Sequence, residues 1–162
     1  MNDFPQLLKI VTVWLVAGVL VFLGFEAWQA RAERTRFVVD GNAVELRRGA
    51  DGHYHWPGRV NGVAVDFLVD TGATTTALPE ALAERAGLAS IGRVTSMTAG
   101  GRVRGTLAAA DIALDGGVRA EHLRVTVLPG LAAPLVGMDV LGRLHFSQRD
   151  GVLRLEARGE RR

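Results

Sequence analysis

A chain of 162 residues has room for one compact domain and a short appendage, and a 48% hydrophobic content stands at the upper end for a globular protein. Its 18 arginines and one lysine are spread along the chain at a net charge of +2, with no aromatic interleaving, which argues against a nucleic-acid interface. The absence of cysteine excludes a disulfide framework and leaves the compartment open.

The hydrophobic excess is local. Ile10 to Phe25 carries no charge, and with Leu7, Leu8, Ala27 and Trp28 it approaches the ~20 apolar residues that cross a bilayer. Lys9 and Glu26 bound it and Trp28 suits the interface. A cleaved signal peptide needs small residues before the cut, and Trp28-Gln29-Ala30 sets Trp where a small one belongs. We therefore expect residues 1–36 to be an uncleaved single-pass membrane anchor with its linker, and residues 37–162 to be the working domain. Arg31, Arg34 and Arg36 outnumber Lys9 and favour a cytoplasmic domain, but long domains are exported regardless of charge, so the side stays open.

In the domain, Phe37 to Leu46 is expected as two short strands around the turn Asp40-Gly41, outside the main core. His53 to Trp56 alternates like a strand that Pro57-Gly58 interrupts. The clearest hairpin follows: Arg59-Val60, the turn pair Asn61-Gly62, then Val63 to Val69, delivering the chain to Asp70. Pro79 to Ala86 has the marks of a short helix, with Gly87 just past its end. Ile91 to Thr106 is expected as strands broken at Gly100-Gly101, and Ala108 to Leu114 and Val118 to Leu128 as strands around Asp115-Gly116-Gly117. Leu135-Val136-Gly137 leads into one helical turn at Met138 to Leu141, and the last pair, Leu144 to Ser147 and Val152 to Leu155, hinges at Asp150-Gly151. Many short strands with one small helix predict an all-β, closed, barrel-like domain behind an N-terminal transmembrane helix.

The chemistry gathers at Phe67-Leu68-Val69-Asp70-Thr71-Gly72-Ala73-Thr74. Apolar residues drive one carboxylate to the end of a strand expected to be buried, where a charge needs a task or a partner. An Asp that only begins a turn, as at Asp115-Gly116 and Asp150-Gly151, is the bland alternative. Thr71 can fix the loop with its hydroxyl, and Gly72 lets backbone approach backbone.

This segment resembles the active-site signature of retropepsin-like (retroviral-type) aspartic proteases, and in particular their membrane-anchored bacterial members. The likeness continues through Gly52-His53-Tyr54, Asn61-Gly62, the Gly100-Gly101 hairpin, Leu135-Val136-Gly137-Met138 and Leu141-Gly142-Arg143-Leu144, so it covers roughly Gly52 to Leu155. It implies a retropepsin-type acid protease fold with Asp70 catalytic and Thr71, Gly72 and Ala73 in the active-site loop. It also implies a substrate-covering flap carrying Met97, Thr98, Ala99, Gly100 and Gly101, and an apolar wall of Leu135, Val136 and Gly137. Asp139 departs from the pattern, where a small hydroxyl residue is expected.

Peptide hydrolysis by carboxylates needs one to take a proton from water and another to give one to the carbonyl oxygen. Asp111, Asp115, Asp139 and Asp150 all lack the apolar-Asp-Thr/Ser-Gly surroundings. The chain therefore supplies one half of the site, and we expect a homodimer in which Asp70 meets Asp70 across a two-fold axis. The expected activity is an aspartic endopeptidase acting on a peptide or protein substrate, with no cofactor, metal or nucleic acid, at the bacterial inner membrane. The same fold without turnover would be a peptide-binding or dimerisation module. His53 and His55 lie two apart, a spacing open to a metal pair, but nothing is positioned to complete a site. His122 and His145 stand singly. Met97 fits the core as well as a flap, and Thr74 to Thr76 is accounted for by a turn. Self-processing between Ala30 and Arg36 has no motif behind it.

Overall fold

The computed structural model describes residues 4–32, 36–39, 43–98 and 100–157. The chain divides into two compact units, Met1–Arg34 and Thr35–Arg162.

The first unit is helix α1, Phe4–Ala32. Pro5 occupies its first turn, where a missing N–H costs nothing, and no proline follows within it. Ile10, Val13, Trp14, Leu20, Val21 and Phe22 are all exposed. The side chains described run from Lys9 to Phe25, about 25 Å of helix against a hydrocarbon layer of about 30 Å. Among the described residues no helix is long and apolar enough to cross a membrane, so the expected transmembrane helix is not shown.

The second unit contains β1 (Arg36–Val39), β2 (Val44–Arg47), β3 (His55–Val60), β4 (Val63–Val69), β5 (Ala77–Pro79) and α2 (Glu80–Arg85). It continues through β6 (Ser90–Thr98), β7 (Gly101–Leu114), β8 (Val118–Leu128), β9 (Leu135–Val136), α3 (Met138–Leu141), β10 (Leu144–Arg149) and β11 (Val152–Ala157). Eight strands form one sheet in the order β1-β8-β5-β9-β4-β3-β7-β6, and a further pairing of β8 with β7 closes the circuit β7-β8-β5-β9-β4-β3. The expected all-β domain is present; its pairings run round in a ring, uneven because β9 is only two residues long, and the expected closed barrel is not shown beyond that ring. A second sheet, β10-β11-β2, completes the unit.

Three local expectations change. β1 and β2 do not pair with each other: β1 lies antiparallel on β8 and β2 on β11, in different sheets. The turn Asp40-Gly41 lies outside the described residues, and Leu46 belongs to the core rather than outside it. Pro57-Gly58 does not interrupt the strand but sits inside β3. The two-residue turn at Asn61 (φ 46°) and Gly62 (φ 83°) makes alternate β3 residues bond to β4, and Pro57 falls on the positions that do not, so its missing N–H costs the ladder nothing. Its carbonyl accepts the Asp115 N–H at 2.9 Å. A Cβ on Gly58 would stand 2.6 Å from the Ala113 carbonyl oxygen, so glycine is what lets β7 cross at that distance. Lastly, β7 runs unbroken through residue 107, and the last pair of the β6–β7 ladder sets Thr98 opposite Gly101.

Trp56 and Phe67 face each other across β3 and β4 and are fully buried. By area each contributes at most about 4–6 kcal/mol. The Trp56 indole N–H donates to the Asp115 carbonyl at 2.8 Å, which satisfies its polar edge. Helix α2 forms as its sequence suggests, with Glu80 in the first turn and Arg85 in the last. It ends through Gly87 N–H to Glu84 carbonyl (3.0 Å) and Leu88 N–H to Ala83 carbonyl (2.9 Å), the bond pair of a Schellman cap.

Candidate active site

β4 ends at Val69 and hands the chain to Asp70, as the hairpin signal implied. Phe67 is fully buried, but Leu68, Val69 and Asp70 are only half-buried, so the carboxylate is less enclosed in the single chain than expected. Its oxygen Oδ1 accepts the Gly72 N–H at 2.8 Å, and its own N–H donates to the Val136 carbonyl at 3.0 Å. Ala73 N–H returns to the Asp70 carbonyl at 3.3 Å, closing the turn. Thr71 and Gly72 are exposed and Ala73 half-buried.

The structure brings Leu135, Val136 and Gly137 beside this strand. β9 runs parallel to β4, setting Leu68 against Leu135 and Val69 against Val136. A Cβ on Gly137 would come within 2.6 Å of the Thr75 carbonyl carbon and 2.9 Å of the Ala73 carbonyl oxygen, so this loop and the Asp70 loop touch backbone to backbone. Met138 N–H to Ala73 carbonyl (2.8 Å) and Asp139 N–H to Thr74 carbonyl (3.2 Å) extend the seam.

Sequence reasoning missed the clamp beneath that seam. Asp139 Oδ2 accepts the Thr76 N–H at 2.8 Å, and its Oδ1 accepts the Thr76 hydroxyl at 2.9 Å and the Val140 N–H at 3.0 Å. Thr76 has no exposed surface, so Thr74 to Thr76 is more than a surface turn. Thr75 and Thr126 hydroxyls lie 3.3 Å apart, and Thr126 N–H donates to the Thr76 carbonyl at 3.0 Å, tying the loop to β8. The available signal was the position of Asp139 in the first turn of α3, where an acid is favoured.

Of the five residues expected to form the flap, four are described. Met97 is 75% exposed, which removes the core reading for this chain. The Thr98 hydroxyl donates to the Gly101 carbonyl at 2.9 Å across the tip, and Ala99 lies outside the described residues. No hydrogen bond joins Met97, Thr98, Gly100 or Gly101 to residues 70–73 among the described residues.

His53 and His55 converge on one carboxylate instead of forming a metal pair. His55 Nε2 lies 2.9 Å from Asp51 Oδ2 and its Nδ1 lies 2.8 Å from Asp66 Oδ2, while His53 Nδ1 is 3.3 Å from Asp51 Oδ2. Carboxylates only accept, so both His55 contacts are hydrogen bonds when the ring carries both protons. The bond to Asp51, then that to Asp66, raises the His55 pKa above 6.5. The same His55 bond, followed by the His53 backbone N–H, lowers Asp51 from 3.8 to about 2. This strap ties the segment before β3 to β4, two residues from the His55–Leu68 pair. Its His55 contribution is full below pH ~6.5 and fades as pH rises through the elevated pKa; the Asp51 contribution is full above pH ~4 and fades towards pH ~2. Replacing His55 with Gln should therefore lower the thermal midpoint at pH 5.5 and barely change it at pH 9. An equal loss at both values would refute the strap.

No curated protein matches the sequence. Among solved structures, a retropepsin-like aspartic protease from Rickettsia conorii is similar over 76% of this chain and 94% of its own, with a TM-score of 0.56 and 23% identity, a likeness of fold. The EIAV protease complexed with the inhibitor HBY-793 matches 58% of this chain and 89% of its own, with a TM-score of 0.49 and 21% identity. A family model described as "gag-polyprotein putative aspartyl protease" matches residues 56–143, from buried Trp56 through the Asp70 loop to Arg143, just before β10. With more than half of its length under that model, the chain belongs to the retropepsin-like family of aspartic proteases.

Proposed function

We propose that this protein is an aspartic endopeptidase whose site is completed by a second copy of the chain. The observation that carries the reading is Asp70 at the end of β4, its carboxylate held by the Gly72 N–H in a loop braced against β9. Two Asp70 carboxyls about 3 Å apart share one proton, because both cannot ionise side by side. The ionised one takes a proton from water, the oxygen attacks the peptide carbonyl carbon, and the protonated one passes its proton to the carbonyl oxygen. Collapse of the tetrahedral diol breaks the C–N bond, with a proton delivered to the leaving nitrogen. Thr71, Gly72 and Ala73 shape the loop, Leu135 to Gly137 form its wall, and Met97 to Gly101 cover the substrate. Asp139 is committed to Thr76, which supports drawing the second carboxylate from a partner.

The anchor belongs to the same reading. A continuous 29-residue helix spans about 43 Å, and its exposed apolar side chains suit a lipid surround. Holding protomers in one membrane raises their effective concentration for pairing.

The test is digestion of a denatured protein at pH 4.5 and pH 8, with and without an inhibitor carrying a tetrahedral hydroxyl at the scissile position. Cleavage should be faster in acid, because the shared-proton state is lost as pH rises through the pair's upper apparent pKa, and the inhibitor should abolish it. A rate that climbs steadily into the alkaline range, or that ignores the inhibitor, rejects the dyad.

A further inference from the structure

β6 is the last strand of the eight-stranded sheet: it pairs with β7 on one side and, among the described residues, with no strand on the other. The β6–β7 register sets Arg93 opposite Thr106, Thr95 opposite Arg104 and Met97 opposite Arg102. Arg93, Thr95, Met97, Arg102 and Arg104 are exposed, while Val94, Ser96, Val103 and Gly105 between them are half-buried. Three arginines thus share one face of the hairpin with an exposed methionine. A groove of about 300 Å³ opens there, lined by Arg93, Val94, Thr95, Arg104 and Gly105.

These guanidinium groups differ from Arg154 and Arg48, whose side chains have partners within the domain. Arg154 pairs with Glu45 and Glu156, and Arg48 donates to the Gly52 carbonyl. Arg93, Arg102 and Arg104 have no carboxylate within ion-pair distance among the described residues. Positive charge is concentrated on a strand pair that also offers an unpaired backbone edge.

We propose that this face docks an extended, acidic polypeptide segment, added along the free edge of β6 with its carboxylates on Arg93 and Arg104. Every second residue of an added strand points to one face at a spacing of about 6.8 Å, so alternate acids can meet the arginine side of the hairpin. The guanidinium fork matches a carboxylate in two parallel hydrogen bonds. A lipid headgroup would meet the charge but leave the N–H and C=O groups of the β6 edge unpaired, which is why the polypeptide is favoured. The inference rests on the proposal that the chain acts on polypeptides, and it adds a charge class for the segment recognised.

The test reads binding rather than cleavage, so its failure is separable from failure of the protease reading. The full chain carrying Asp70→Asn, in neutral-detergent micelles, is titrated against a labelled ten-residue peptide alternating Glu with Val, and against the same peptide with Gln for Glu. At low salt the Glu peptide should bind about tenfold tighter, the size of two exposed charge pairs, and lose that advantage at 0.5 M NaCl. R93E/R104E should abolish the preference while keeping the wild-type thermal midpoint. Equal affinity for the two peptides, or an undiminished preference in R93E/R104E, would overturn the proposal. So would a double variant impaired only in binding vesicles of 30% phosphatidylserine, which would assign the face to lipid.

Discussion

Asp70→Asn should reduce peptide cleavage by at least about 10⁴-fold, because a symmetric dimer loses its base and its acid in one substitution. The fold should survive. Asn Oδ1 can accept the Gly72 N–H as Asp Oδ1 does at 2.8 Å, and the backbone bond to Val136 does not involve the side chain. The variant also separates a shared site from a self-contained one. When wild-type and Asp70→Asn chains are unfolded together and refolded at varied ratios, a site needing both carboxylates gives activity per total protein that falls as the square of the wild-type fraction. A site complete within one chain gives a straight line. Linear dependence would reject the homodimeric site while leaving Asp70 as a catalytic group, and full activity in the pure variant would reject Asp70 itself.

Asp139→Ala should be the most damaging substitution away from that carboxylate. It removes the acceptor from the Thr76 N–H and hydroxyl, both on a residue with no exposed surface, while the Val140 N–H keeps the Gly137 carbonyl at 3.1 Å. Each stranded buried donor costs about 1–3 kcal/mol, so the domain should lose about 3 kcal/mol and melt about 10 °C lower. Thr76→Val removes the hydroxyl from the other side. If the two groups stabilise mainly by satisfying each other, the double variant should be less destabilised than the sum of the singles, since the unpaired hydroxyl is gone. Thermal unfolding of the four proteins measures this directly, and strict additivity would refute the clamp.

What the sequence made legible was local. Asn61-Gly62 and Asp150-Gly151 specify their two-residue turns through positive φ, and Pro79-Glu80 with Gly87 bounds a helix without reference to the rest of the chain. Asp70 could be singled out because its apolar run and small neighbours are contiguous. What failed depended on distant partners. Nothing in Phe37 to Leu46 reveals that β1 belongs to β8 and β2 to β11, since the partner strands lie about 80 and about 110 residues away. Pro57 looked like a strand breaker because the side on which its missing N–H falls is set by pairing with β4. Asp139 looked like a departure from the family pattern, and its meaning appeared only when Thr76 arrived against it from 63 residues upstream.

The seam between the Asp70 loop and the segment entering α3 is made of main-chain atoms: Asp70 to Val136, Met138 to Ala73, and Asp139 to Thr74. Bonds of that kind place no requirement on which side chains occupy positions 73, 74 and 138, and those positions are free to drift under selection for specificity. Gly137 is not, because any side chain there would stand inside the Ala73–Thr75 backbone. Mutational tolerance around this seam should therefore be sharply uneven from one residue to the next, with an almost fixed glycine in contact with positions that can vary without loosening the loop.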